Sequence, residues 1–153
     1  MVIDIISDGA YPANVLSNFY PNAFVLDGVR IASMEGFLQS LKSRNKQEQE
    51  HICSLCGLEA KNYFKKKFAN LRWKLTGKLF WQGEKIRRRS KEYDTLLKRA
   101  YGELAKNEEF AKALGATLGK TLTHSVGKHK KGSTVLTEKE FLDILCSLRE
   151  QIV

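Results

Sequence analysis

The chain has 153 residues, of which 42% are apolar and 10% aromatic, and it carries a formal charge of +9. A chain of this length buries about two thirds of its unfolded surface around one core, so no second domain is needed, and the apolar content excludes a disordered protein. The positive charge favours partners that carry phosphate, such as nucleotides, sugar phosphates or nucleic acid, over cationic substrates.

Two features of the chain bear on where it works. No apolar run approaches the roughly 20 residues of a membrane-spanning helix, and the opening MVIDIISDGAYP lacks the basic start and the cleavage site of a signal peptide. The three cysteines are an odd number, which fits a reducing compartment better than a disulfide framework. We expect a soluble, cytoplasmic protein that does not bind membranes.

The N-terminal part is predicted to form a small antiparallel sheet. VIDIIS at 2–7 is short and β-branched, and AFVLDGVRIAS at 23–33 has two apolar segments around Asp27-Gly28, a strong signal for a two-residue hairpin turn. The segment between them is rich in Pro, Asn and Ser, so we expect a surface loop whose Phe19 and Tyr20 fold inward.

Helical patterns dominate from residue 33 onward. Ser33 is placed as an N-cap, and apolar residues at helical spacing predict a helix from 34 to near Asn45. Further helices are predicted at 47–56, 58–67, 91–106 and 108–115, and a C-terminal helix follows the capping box at 137–140. KTLTHSV at 120–126 is predicted to be a strand that joins the small sheet. The expected fold is α+β, a mainly helical single domain over 1–153 with a small antiparallel sheet.

Within SMEGFLQSLK at 33–42, three polar residues share one side of the predicted helix. Glu35, Gln39 and Lys42 are spaced at i, i+4 and i+7, and they adjoin the apolar stripe. Spacing alone leaves two interpretations open: a solvated helix face, or an acid and an amine held in a pocket.

Cys53 and Cys56 match the C-x-x-C pattern of zinc sites and dithiol redox sites. The sequence has no second cysteine pair, and His51 is too close to complete a metal-binding set. We interpret them as core cysteines and predict no metal site.

KNYFKKKFANLRWK at 61–74 interleaves basic and aromatic residues, the composition of a surface that stacks bases and neutralises phosphates. GEKIRRRSK at 83–91 adds three consecutive arginines. The alternative is an amphipathic helix end with Phe64 and Phe68 in the core and the lysines in water.

His124 and Ser125 are adjacent in the predicted strand, so they point to opposite faces and do not form a catalytic dyad. His124 is either a hydrogen-bonding pocket residue or a structural histidine.

LSNFYPNAFVLDGVRIASMEGFLQSLK at 16–42 resembles the N-terminal motif of the YbiA-like, or NADAR, superfamily, in which an SNF loop, a hairpin and an S-x-E-x-x-x-Q-x-x-K helix follow one another. LFWQGEKI, AYGELAKNEEFAKALGAT and TLTHSVGK resemble a compact, phage-type branch of it. The resemblance implies a YbiA-like fold and an N-glycosidase that needs no cofactor. Members hydrolyse phosphoribosylaminopyrimidine intermediates of riboflavin synthesis or remove ADP-ribose from modified guanine in nucleic acid. A phage-encoded protein of this kind would work in the host cytoplasm.

The motif of the superfamily falls on Glu35, Gln39 and Lys42, and its loop on Ser17, Asn18 and Phe19. The resemblance implies that Glu35 is a general base or an electrostatic stabiliser. Lys42 either binds phosphate or attacks the sugar as an amine whose pKa is lowered by burial.

The resemblance also implies the residues that hold the substrate. Phe19 and Trp81 would stack on the base, and Asn18 and His124 would hydrogen-bond to the ribose or to base edges. Trp81 stands in for a tryptophan that other members carry further along, although an ungapped match puts Arg89 there.

One segment departs from the superfamily pattern. Many members have an aspartate and a Trp-Gly pair near the position that follows His124, whereas this chain has no aspartate between Asp94 and Asp143. Glu138 and Glu140 are poor substitutes by position. A non-catalytic module that binds ADP-ribose or nucleic acid is therefore an alternative, and so is a basic DNA-associated protein that uses only 61–91.

Overall fold

The computed structural model describes residues 1–152, which contain eight helices and six short strands joined by turns and loops. The helices are α1 (Ala13–Leu16), α2 (Met34–Ser40), α3 (Lys46–Cys53), α4 (Gly57–Asn62), α5 (Phe68–Thr76), α6 (Lys91–Leu104), α7 (Glu108–Gly115) and α8 (Glu138–Glu150). The strands are β1 (Val2–Asp4), β2 (Phe24–Leu26), β3 (Val29–Ile31), β4 (Lys78–Trp81), β5 (Glu84–Arg87) and β6 (Thr121–Thr123). The mainly helical α+β class is confirmed.

The strands form three separate two-stranded sheets, so the prediction of one small antiparallel sheet was wrong. β2 and β3 form the predicted hairpin, and Asp27 and Gly28 both have positive φ, as a two-residue turn of this kind requires. β6 pairs with β1, but in parallel, with Ile3 opposite Leu122. The hairpin packs against α6 and α3 instead of extending that pair.

The predicted helix starts are confirmed. Ser33, Ser90 and Asn107 each accept a hydrogen bond from a backbone N–H of the first turn, and Thr137 begins a complete capping box. The helix expected to run from 34 to near 45 ends earlier, at Ser40. The side-chain amide of Gln49 donates to the Ser40 and Ser43 carbonyls, which satisfies backbone acceptors that the helix no longer pairs.

The region 61–87 differs most from the prediction. The helix expected at 58–67 ends at Asn62, and Lys66 adopts a left-handed conformation with φ 66°, which separates α4 from α5. Gly77, also left-handed, ends α5, and the β4–β5 hairpin follows. Phe64 is buried, whereas Phe68 is 70% exposed, so only one of the two phenylalanines lies in the core.

α2 lies at the centre of the molecule and packs closely on the chain that links α3 and α4. A Cβ atom on Gly36 would lie 2.7 Å from the Leu55 carbonyl oxygen and 2.8 Å from that of Ile52, so only glycine permits this approach. Cys53 is fully buried nearby, and burial raises the pKa of its thiol to about 11. This residue is a core cysteine, whereas Cys56 is half-buried.

None of the helices in residues 1–152 is long and apolar enough to cross a membrane.

Candidate functional site

The candidate site is built on α2 and on the turn that follows it. Ser33 fixes the start of the helix, because its hydroxyl oxygen accepts from the Gly36 N–H at 3.1 Å while its O–H donates to the Leu55 carbonyl at 2.8 Å. Of the seven residues of α2, which the structure describes in full, all except Glu35 are buried. The helix therefore has no solvated face, and Glu35 is its partly exposed polar residue.

Burial of the Glu35 carboxylate is the main influence on its chemistry. It raises the pKa of Glu35, against a hydrogen bond from Gln39 and the positive charges of Lys42 and Lys61. Gln39 Nε2 donates to Glu35 Oε1 at 3.0 Å, so the amide holds the carboxylate in one orientation. The result is an acid that has lost much of its water and lies close to two amines.

The Lys42 amine is perturbed in the complementary direction. Burial lowers the pKa of Lys42 to about 8; the Glu35 charge opposes this shift, and the charges of Lys74 and Lys128 add to it. Nζ donates to Asn70 Oδ1 at 3.0 Å and lies 6.0 Å from the centre of the Trp73 ring. With this pKa about a tenth of the amine is neutral at pH 7, against less than one part in a thousand for an ordinary lysine.

The side-chain amide of Gln39 uses its donor group but not its acceptor oxygen. Its Oε1 atom is buried and has no hydrogen-bond partner among residues 1–152. Buried polar atoms are nearly always paired, so an unpaired one beside a perturbed carboxylate indicates a site that is complete only with a ligand or with a proton on Glu35. If Glu35 is protonated, rotation of the Gln39 amide by 180° pairs this oxygen with the carboxylic acid.

The SNF loop packs directly against the start of α2. The Glu35 N–H donates to the Asn18 carbonyl at 2.9 Å, and the Ser17 hydroxyl oxygen accepts from the Phe19 N–H at 3.2 Å. Asn18 Oδ1 accepts from the Tyr101 hydroxyl at 2.7 Å, which turns the Asn18 NH₂ group away from α6. Both Asn18 and Phe19 are half-buried, so each keeps a surface that a ligand can reach.

Trp81 is not brought together with Glu35. Its indole is 4% exposed, lies edge-on to Phe37 at 5.0 Å, and donates from Nε1 to Asp27 Oδ2 at 2.8 Å. Phe37 is two positions beyond Glu35 on a helix, so the two side chains point in nearly opposite directions, about 160° apart. Trp81 also lines a cavity of about 560 Å³ together with Asp27 and Arg99.

His124 is held by a backbone carbonyl and an aromatic ring. Its Nδ1 lies 2.7 Å from the Ile5 carbonyl oxygen, and its ring packs edge-on against Phe141 at 5.0 Å. Phe141 in turn contacts Tyr101, the residue that binds Asn18 of the SNF loop. These contacts use Nδ1 and one edge of the ring, and a role for His124 in binding a ligand stays a prediction.

The segment after His124 brings no free acid to the site. Glu140 forms a paired contact with Arg88, at 2.6 and 3.1 Å, and both side chains are largely buried. Glu138 lies 3.3 Å from the exposed His129. Neither carboxylate replaces the aspartate that this chain lacks. No group of three His, Cys, Asp or Glu side chains within residues 1–152 is arranged to hold a metal ion.

The sequence analysis did not name three residues that lie beside the site. Asn70 holds the Lys42 amine, Lys61 acts on Glu35 and lies 5.8 Å from the Phe19 ring centre, and Tyr101 orients Asn18. Lys61 and Asn70 both lie in the basic and aromatic segment 61–74, whose composition had indicated a phosphate-binding surface. Tyr101 differs, because its position on the apolar side of α6 marks it only as a core residue.

Comparison with known proteins relates the chain to bacteriophage proteins along most of its length. A family described as bacteriophage protein GP30.3 matches residues 10–150. A 17.1 kDa protein from the Gp30–rIII intergenic region of Enterobacteria phage T4 is 38% identical over 152 residues, which cover 98% of each chain.

The fold is similar to that of a solved bacterial protein. The NMR structure of E. coli YbiA superposes with a TM-score of 0.57 over 99% of this chain and 84% of YbiA. The two sequences are 16% identical, so this likeness concerns the fold.

Proposed function

Because the chain belongs to the GP30.3 family of bacteriophage proteins and has a YbiA-like fold, we propose that it is an N-glycosidase that hydrolyses the C–N bond between a ribose and a base. The observation that carries this proposal is the Glu35–Lys42 pair, an acid and an amine that burial drives toward their neutral forms in one site. Perturbation of this kind, with a specific charge partner, is typical of catalytic groups.

Lys42 is the proposed nucleophile. Its neutral amine attacks the anomeric carbon of the ribose, the C–N bond to the base breaks, and the electron pair leaves with the base nitrogen. The new Lys42–sugar nitrogen then loses one proton and the base nitrogen gains one, so the step balances. The product is a sugar bound to Lys42, which opens to an imine. A lowered pKa suits this role, because only the uncharged amine has the electron pair that the attack needs.

Glu35 acts on both steps. Its carboxylate stabilises the positive charge that grows on the ribose carbon as the base departs, and it then takes a proton from the water that hydrolyses the sugar–lysine bond. The raised pKa makes Glu35 a stronger base than an exposed glutamate. The unpaired oxygen of Gln39 is free to accept a hydrogen bond from a ribose hydroxyl.

The SNF loop supplies the groups that hold the substrate. The Phe19 ring is available to stack on the base or the sugar, and the Asn18 amide to donate a hydrogen bond. Trp81 packs against Phe37 of α2, and His124 packs against Phe141 of α8. Their direct contact with the base or the ribose remains a prediction.

Two substrate classes fit the site. The charge of +9, with Lys61, Lys74 and Lys128 acting on the reacting pair, favours ADP-ribose linked to a guanine of nucleic acid, in the host cytoplasm. A smaller phosphorylated N-riboside, such as an intermediate of riboflavin synthesis, is the second class. Salt separates them, because extended phosphate contacts make activity fall steeply as salt rises.

The experiment is to incubate the protein with an oligonucleotide that carries ADP-ribosylated guanine, and separately with a phosphoribosylaminopyrimidine, and to follow released sugar and base by chromatography. Release that depends on Glu35 supports the proposal. Tight binding without release would favour the second candidate, a module that binds ADP-ribose or nucleic acid. The absence of a free acid after His124 is the observation in favour of that candidate.

A further inference from the structure

α5 exposes an apolar stripe. Phe68, Leu71 and Leu75 lie at i, i+3 and i+7, and their exposed fractions are 70%, 52% and 75%. The helix buries its opposite side through Trp73, which lies in the core. An exposed stripe of this kind, on a short helix that is otherwise well packed, marks a surface that meets a partner.

A shallow, open groove lies beside the first part of this stripe. It has a volume of about 480 Å³ and is open to solvent. It is lined by Lys66, Lys67, Phe68, Asn70, Leu71 and Lys74. Asn70 is also the residue that holds the Lys42 amine, so the groove and the candidate site share a wall.

The lining of the groove combines positive charge with an aromatic face. Lys66 and Lys74 are exposed, and so is Phe68, whose ring is free on the surface. Basic groups that neutralise phosphates, beside an aromatic ring on which a base stacks, are the two elements of single-stranded nucleic acid binding.

The backbone at Lys66 supports a functional role for its side chain. Its φ of 66° lies in the left-handed region, which costs a residue with a Cβ atom of the order of 1 kcal/mol relative to glycine. A lysine at position 66 therefore makes the fold less stable than a glycine would. A ligand-binding role for its amine would explain why a lysine is found there.

We propose that this groove binds a single strand of nucleic acid and delivers one of its nucleotides to Glu35 and Lys42. The inference rests on the proposed function, of which it specifies the substrate class and the surface that holds it. A base stacks on Phe68, phosphates lie beside Lys66 and Lys74, and the strand passes Asn70 to reach the reacting pair.

A second copy of the chain is a poorer occupant of the groove. Self-association through the stripe brings two sets of the same lysines together, and like charges that face one another oppose binding. Nucleic acid has the complementary charge.

The test measures the affinity for an unmodified single-stranded oligonucleotide of about 12 nucleotides by fluorescence anisotropy over a series of salt concentrations. F68A should weaken binding about tenfold through loss of stacking. K66G should weaken it too and reduce the slope of log K against log salt by about 0.7, the value for one phosphate of a single strand.

K66G separates binding from folding, because it should leave the thermal midpoint equal to or above that of the parent while affinity falls. L118A and K98A are controls, since both residues are exposed and neither lines the groove. Parental affinity in F68A and K66G overturns the inference. So does a dimer in sedimentation that F68A dissociates while oligonucleotide binding is unchanged.

Release of base from a free ADP-ribosylated guanosine by the unaltered protein is measured alongside. If base is released, and both F68A and K66G bind the oligonucleotide with parental affinity, the nucleic-acid role of the groove is wrong but the proposed reaction is supported. Oligonucleotide binding that both variants weaken, without release from any substrate, supports the groove and counts against the reaction.

Discussion

Lys42 Nζ donates a hydrogen bond of 3.0 Å to Asn70 Oδ1, which joins the end of α2 to α5 across 28 residues of sequence. The same oxygen accepts from Trp73 Nε1 at 3.3 Å. The amide is neutral, so it positions the Lys42 amine without adding the negative charge that would keep the amine protonated. The pKa of Lys42 is therefore set by burial and by neighbouring charges, with Glu35 as the opposing influence.

The first prediction concerns the pH dependence of the reaction. If the neutral Lys42 amine is the nucleophile, the rate should rise with pH to a plateau with a midpoint near 8. N70D keeps both hydrogen bonds but adds a negative charge beside the ammonium, so it should raise the pKa of Lys42 and move the midpoint to higher pH. The measurement is kcat as a function of pH for the parent and N70D.

N62D is the matched control, because Asn62 is exposed on α4 and its replacement should leave the midpoint in place. A rate that instead falls as the pH rises through 8 assigns Lys42 the role of a phosphate-binding cation. Reduction with borohydride during turnover gives an independent readout, since it should attach the sugar covalently to Lys42.

The second prediction concerns Glu35. E35Q should lower turnover by about 100-fold or more, because the amide neither accepts the proton of water nor stabilises a cationic sugar. E50Q, on the exposed side of α3, should behave as the parent. Turnover within a few-fold of the parent in E35Q, on a substrate that the parent cleaves, contradicts the assignment.

The same variant has a predicted effect on stability. Burial raises the pKa of Glu35 above its usual 4.5. At pH values above the raised pKa the buried carboxylate is charged, which destabilises the folded state. This destabilisation disappears as the pH falls toward 4.5 and the carboxylate is protonated. E35Q should therefore have a thermal midpoint equal to or above that of the parent at pH 7, and any advantage should shrink in acid. A clear loss of stability at pH 7 would mean that the carboxylate has a structural role.

The third prediction concerns Tyr101, whose hydroxyl fixes the Asn18 amide at 2.7 Å. In Y101F the amide is free to rotate, so KM should rise several-fold while the free energy of unfolding falls by about 0.5 to 1.5 kcal/mol. Y20F removes a bond of equal length, from Tyr20 to Glu109 on the surface, and should change neither quantity appreciably. An unaltered KM in Y101F would show that Asn18 does not bind the substrate.

The parts of the fold that were predicted from sequence are those that depend on neighbouring residues. The turn at Asp27-Gly28 needs positive φ at two positions, and a cap such as Ser33 needs only a side-chain oxygen beside the first turn of a helix. The Glu35–Gln39 contact follows from helical spacing in the same way. Local patterns identified these features because local geometry is sufficient to form them.

Other features depend on contacts between distant segments. The parallel pairing of β1 with β6 joins residues 2–4 to residues 121–123, and the bond from Lys42 to Asn70 depends on how α5 packs. α5 was not predicted, and the orientation of its apolar residues Phe68, Leu71 and Leu75, which face outward, also depends on how the helix packs. A sequence pattern gives the spacing of apolar residues on a helix but not whether they face the core or the solvent.

The fourth prediction concerns the pair formed by Arg88 and Glu140. Burial raises the pKa of Glu140, but the hydrogen bonds from Arg88 and Thr137 more than offset this, and the net pKa lies below its usual value. The stability that the pair contributes is present above pH 4.5 and is lost as the pH falls through the lowered pKa.

E140Q should lower the free energy of unfolding by about 3 to 5 kcal/mol at pH 7, because it leaves Arg88 as a buried charge without a counterion. Urea denaturation measures this, and the gap to the parent should narrow in acid. D143N breaks the exposed pair with Lys139 and should cost less than about 1 kcal/mol. Equal costs for the two variants would contradict a distinct role for the buried pair.

The last prediction compares two helical glycines. G36A places a methyl group 2.7 and 2.8 Å from two backbone carbonyl oxygens, which cannot move aside as a side chain can, so α2 must shift away from the segment 52–55. We expect a loss of about 1 to 3 kcal/mol in unfolding free energy. G102A, in α6 with open space around its Cα, should instead stabilise the protein by about 0.4 to 1 kcal/mol.

Because α2 carries Glu35 and directs Lys42, G36A should also reduce turnover at temperatures where the variant is still folded. A G36A protein with parental stability and turnover would mean that the approach of α2 to this segment is not needed to position the site.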